Sequence, residues 1–202
     1  MKAGRWRARR DAAVVAGLML VTSTPLLAHD RGGQAQGFLM GLQHPVSGLD
    51  HVLAMVSVGL WGAQLGAPAL WMLPVAFPMV MSVGGFLGLL GVPLPGVEFG
   101  IALSAILLGF VVMLEAKPPL AAAACLVSVF AIFHGHAHGT ELPPGADGLA
   151  YSMGFIVATG CLHGAGILLG LVHRWQAGRF TLRVSGAAVT VAGLGFLWRA
   201  FA

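Results

Sequence analysis

Between His44 and Phe201 the chain reads as a succession of apolar runs, each long enough to cross roughly 30 Å of hydrocarbon and separated from the next by a short connection. The runs extend from His44 to Leu65, Ala69 to Leu90, Val97 to Glu115, Leu120 to His138, Leu149 to Val172 and Leu182 to Phe201. Backbone polar groups in lipid must be satisfied within the segment, so runs of this length predict helices. The expected class is therefore all-α, a polytopic membrane protein with six transmembrane helices. The connections carry turn chemistry: Gly66-Ala67-Pro68, the stretch from Gly91 to Gly96 with Pro93 and Pro95, Lys117-Pro118-Pro119, and Pro143-Pro144-Gly145. They leave no room for a separate soluble domain. With 9% charged residues and a mean hydropathy of +0.87, the chain lies far from the roughly 25% charged content of a soluble domain.

The formal net charge of +4 would suit an anionic partner if it were spread over the chain, but it is concentrated at the start. Lys2, Arg5, Arg7, Arg9 and Arg10 precede an apolar stretch from Ala12 to Val21 and a short segment ending at Ala28. That order is the pattern of a secretory signal peptide over residues 1–28, leaving 29–202 as the membrane domain. Beyond Ala28 there are six Lys/Arg and six Asp/Glu, so no nucleic-acid partner is implied. Leu26 occupies a position before the cut where a small residue is preferred, which keeps an uncleaved signal anchor as the alternative. With the signal removed, an even number of spans leaves both termini outside. Lys117, Arg174, Arg179 and Arg183 then fall on the cytoplasmic side of the membrane, with Glu98, Glu141 and Asp147 opposite.

Within the runs, Gly84 and Gly88, Gly160 and Gly164, and Gly166 and Gly170 are spaced four apart, as close helix packing requires. Pro74 and Pro78 remove two backbone donors from the second run, so a hinge or a fixed bend is expected beside Phe77. Cys125 and Cys161 lie inside apolar segments and read as small buried packing residues rather than a disulfide framework.

Against this apolar background two stretches stand out: HPVSGLDH from His44 to His51, and FHGHAHGTE from Phe133 to Glu141. Imidazoles and carboxylates in a span cost a few kcal/mol each, so they need partners. If the first stretch is helical, His44 and His51 share a face, with Asp50 beside them and Met55 one turn beyond. Pro45 and Gly48 interrupt it and free carbonyls toward a cavity. In the second stretch His134, His138 and Glu141 fall on one side of a helix end, while His136 points elsewhere. Glu98 begins the third run at the same level. Neutral imidazoles with carboxylates suit a borderline dication such as Ni(II), Co(II), Zn(II) or Cu(II). His163, deep in the fifth run, is either an inter-helix hydrogen bonder or a relay ligand. A chain starting at His29 would add an α-amine and a further imidazole.

These two stretches resemble the paired signatures of the HupE/UreJ nickel permeases, and the likeness extends to GVEFGIALS at the start of the third run and to the proline-bearing second run. The resemblance implies secondary uptake of nickel, in some members cobalt, as transported substrate rather than as a resident cofactor. It implies His44, Asp50, His51, His134, His138, Glu141 and Glu98 as ligands of the path, and Phe77 as a candidate gate. His163, His136, His29 and Met55 are candidate relays. The chain contains no GxxxxGK[ST] loop, so no ATPase of its own is expected. The dication and the lipid bilayer are the expected partners. An intramembrane metal hydrolase and a heme-binding electron-transfer subunit are the alternatives, the one lacking HExxH and the other CxxCH.

Overall fold

A computed structural model describes residues 26–142 and 145–201, with side chains from residue 34 onward. The described residues fold into seven α-helices, α1 Leu26–Ser47, α2 Leu49–Leu65, α3 Ala69–Leu89, α4 Val97–Met113, α5 Leu120–Thr140, α6 Gly148–Gly170 and α7 Gln176–Phe201, with a 3-10 turn, Leu171–Arg174, between the last two. Residues 1–25, which hold most of the expected signal peptide, lie outside the described residues.

The layout differs from six equal spans in two places. Four helices, α3, α5, α6 with its 3-10 extension, and α7, are long and apolar enough to cross a membrane. The expected first span is instead a bent pair: α1 and α2 meet at 83°. Pro45 has no N–H to continue the last turn of α1. Ser47 Oγ donates to the His44 carbonyl at 2.6 Å, and Gly48 is extended with φ −101° and ψ 118°. His44 and His51 therefore do not share the face of one helix. Instead α1 begins well before His44 and packs on α6, where Gly37, Gly41 and Gly154 let the two backbones meet. The other difference is α4. Its 17 residues rise about 25 Å, somewhat short of the hydrocarbon thickness.

The helices pack about α2, which contacts α3, α4, α6 and α7. Ten of its 17 residues are buried. Its Ala54, Met55, Val58 and Trp61 join Leu73, Phe77 and Met81 of α3, Leu108 and Val112 of α4, and Val127 and Phe130 of α5 in one core. At the far end of α2, Trp61 Nε1 donates to the Ala116 carbonyl at 2.9 Å and Gln64 Nε2 to the Val112 carbonyl at 3.1 Å. That end also holds the Arg183 to Glu115 ion pair at 2.9 Å. On α3, Trp71, Val75, Met79 and Phe86 face outward while Leu73, Phe77 and Met81 face inward. A helix apolar on all sides belongs in lipid.

Backbone contact between α3 and α5 decides where the second ligand stretch points. A Cβ at Gly135 or Gly139 would collide with the carbonyls of Met81 and Gly85, and one at Gly84 or Gly88 with those of Ile132 and His136. Gly160 and Gly164 behave otherwise: nothing among the described residues lies near them, so this pair packs against none of the described helices. Cys125 and Cys161 are likewise exposed, free thiols, because their sides of α5 and α6 face away from the core.

Candidate metal centre

Three helices deliver imidazoles to one end of the bundle. From α1, His44 Nε2 donates to Glu141 Oε2 at 3.0 Å. From α5, His138 stacks edge-on against His44, with ring centroids 4.8 Å apart. From α2, His51 lies 4.4 Å from His138 and 4.7 Å from His134. The result is a continuous ladder, His44, His138, His51, His134, which runs from the half-exposed Glu141 to a fully buried ring: Glu141 is 55% exposed and His134 0%.

The lone pairs of the ladder are set by its neighbours. Asp50 Oδ1 accepts from both the backbone N–H and Nδ1 of His51, each at 2.8 Å. With Nδ1 protonated, His51 Nε2 is left as a free, buried acceptor. Gly48 is required beside this pair, since a Cβ there would lie 2.8 Å from Asp50 Oδ1 and 3.0 Å from His51 Nδ1. Asp50 also sits in the first turn of α2, where the helix dipole favours a negative charge. Ser104 Oγ donates to the Ile101 carbonyl at 2.6 Å and so accepts from His134 Nε2 at 2.8 Å. His134 Nδ1 is thereby free, and both ring nitrogens of His138 are unbonded. Among the described residues these four imidazole nitrogens have no partner, and since the neutral His138 ring keeps one N–H, three of them are lone pairs open to a cation.

His44, His138 and Glu141 offer ligand atoms that all lie within 4.8 Å of one another. Bonds of about 2.1 Å set ligand separations of roughly 3 to 4 Å, so a bound dication would draw these groups together. It would also displace the proton shared by His44 and Glu141.

The remaining residues named above divide. Asp50 and Glu98 line one cleft of about 560 Å³ with Arg199, so Glu98 stands at the mouth rather than in the ladder. Phe77, fully buried, packs against both His134 and His163, with ring centroids 5.7 Å and 5.5 Å away. His136 leaves the group and donates to the Val92 carbonyl at 2.7 Å, which anchors the connection between α3 and α4. It is not brought to the ladder as a relay. Met55 is a core residue. The side chain of His29 lies outside the described residues. Sequence reasoning passed over Ser104, although it ends the GVEFGIALS stretch, and Tyr151 and Phe155, whose rings cover His44 at 5.7 Å and His138 at 4.3 Å. Their positions on α6 carry no local signal, because only the packing of α1 on α6 brings them there.

Comparison with known proteins gives two findings. The family described as HupE / UreJ protein matches residues 17–196. Protein HupE of Rhizobium leguminosarum bv. viciae is 48% identical over 174 residues, which cover 86% of this chain and 91% of that one. No solved structure matches.

Proposed function

The chain belongs to the HupE/UreJ family, a family of permeases rather than enzymes, and from that premise we propose that it takes up a divalent transition metal, nickel first and cobalt second, across the bacterial inner membrane. Membership sets aside the hydrolase alternative. The observation that carries the proposal is the ladder of four imidazoles from three helices, flanked by Asp50 and Glu141 and closed at its buried end by Phe77.

In this reading residues 1–28 are a signal peptide, the bent α1 and α2 pair makes the first of six crossings, and both termini lie in the periplasm. Lys117, Arg174, Arg179 and Arg183 are then cytoplasmic, as the positive-inside bias requires. A hydrated ion meets the carboxylates of Glu98, Asp50 and Glu141, which lower the cost of bringing positive charge to an apolar bundle. It sheds water in favour of His44, His138 and His51, whose neutral nitrogens suit Ni(II) and Co(II). His134 receives it next, and Phe77 blocks the step beyond until α3 shifts about its two prolines. Moving two charges inward through 100 mV releases about 4.6 kcal/mol, so no nucleotide is needed.

Uptake of radioactive nickel and cobalt into proteoliposomes, comparing the natural protein with His44→Ala, Asp50→Ala and His138→Ala, tests this. Loss of uptake in the variants is expected. Full uptake in all three would overturn the ligand assignment, and no uptake by the natural protein would overturn the transport reading.

A further inference from the structure

Beneath Phe77 the interior is polar again. His163 of α6 is 1% exposed, and neither ring nitrogen has a hydrogen-bonding partner among the described residues. One turn earlier on the same face is Thr159, 0% exposed, whose hydroxyl is also unbonded. A helical hydroxyl ordinarily bonds back to the carbonyl one turn before it. Ser152 does so on this same helix, donating to the Gly148 carbonyl at 2.7 Å. Thr159 does not. The third group comes from α3: residue 78 is proline and has no N–H, so the Pro74 carbonyl loses its helical partner, and this carbonyl lies close to the His163 ring without meeting the geometry of a hydrogen bond.

Buried polar groups without partners cost on the order of 1 to 3 kcal/mol each, and α6 carries two of them one turn apart, beside the α3 carbonyl that proline leaves without its helical donor. Resting on the transport reading above, we infer that His163, Thr159 and the Pro74 carbonyl form a second, inner station for the dication, separated from the outer ladder by the Phe77 ring. The chemistry differs from that of the ladder. Asp50 and Glu141 lie on the outer side of Phe77, whereas the inner donors are one imidazole, one hydroxyl and one carbonyl, all neutral. Imidazole retains selectivity for a borderline ion, while the two oxygens bind it weakly. A station built this way holds the ion less tightly than the ladder, which favours onward release over trapping. Pro78 has a double role here, since the residue that loosens α3 beside Phe77 is also the one that frees the carbonyl.

The test uses the full-length protein. Equilibrium dialysis with ⁶³Ni²⁺ in detergent is expected to give two ions per chain, one tight and one weak. His163→Gln and Thr159→Val should each remove the weak site and leave the tight one, with uptake into proteoliposomes reduced at least about tenfold for His163→Gln. In His138→Ala, Co²⁺ should still give a visible ligand-field band from the inner station, and adding His163→Gln should abolish it. An unchanged elution profile in size exclusion guards against misfolding. Nickel uptake by the natural protein together with one bound ion per chain, or with unimpaired uptake by His163→Gln, would overturn the inner station alone. No uptake by the natural protein would overturn the transport reading and the station with it.

Discussion

The two ligand stretches carry the same side-chain chemistry on opposite kinds of backbone. HPVSGLDH is broken: Pro45 and Gly48 turn the chain through 83° between His44 and His51. FHGHAHGTE is continuous helix as far as Thr140, seated on α3 by Gly135 and Gly139. The unbroken stretch places His134 and His138 about 6 Å apart in depth and so fixes the spacing of the ladder. The broken one inserts His51 between them and sends His44 out to Glu141. A rigid rail and a jointed arm together allow ligands to close on an ion from opposite sides, which two continuous helices of fixed spacing could not do without moving as wholes.

Breaking the rail should have the largest effect. Gly135→Val forces α5 away from the Met81 carbonyl, and a loss of about 3 kcal/mol in stability with abolished uptake is expected, measured by thermal unfolding in detergent and nickel uptake. Next comes the carboxylate that orients the arm. Asp50→Asn should lower uptake about 10- to 100-fold with little change in unfolding temperature, because His51 loses its tautomer rather than its place. Straightening the joint is milder: Gly48→Ala crowds the Asp50 and His51 pair, and about a tenfold fall in uptake is expected. Ser104→Ala removes one hydrogen bond to His134, worth about 1 kcal/mol, and should reduce uptake about fivefold. The smallest effect belongs to the one imidazole of the rail that faces away. His136→Ala should leave uptake within about twofold and cost about 1 kcal/mol of stability through the lost Val92 bond. If His136→Ala instead abolished uptake while Asp50→Asn did not, the division between rail and arm would be wrong.

Several of these assignments were legible in the chain. The spacing of His134, His138 and Glu141 placed them on one side of a helix and sent His136 elsewhere, because α5 is regular through that stretch and helical periodicity holds. The same reasoning failed for His44 and His51, where periodicity was extrapolated across a proline and a glycine. It also placed the start of the membrane domain's first helix too late. The polar segment before His44 has no strong apolar signal, and its helix is held by glycine-mediated contact with α6. The fate of the cysteines and of Gly160 and Gly164 was misread for a related reason. In a helix apolar on every side, composition does not tell the lipid face from the core face.

What the sequence determined by itself was chemical and local: a polytopic helical chain, two clusters of imidazole and carboxylate, and prolines that weaken α3. These follow from side-chain polarity and backbone hydrogen bonding, which act over a few residues. Only the tertiary structure decided that the two clusters interleave into one ladder, that Phe77 packs against both His134 and His163, and that His163 and Thr159 are buried with no partner among the described residues. Those relations join residues tens of positions apart, and they depend on which glycines let which backbones touch.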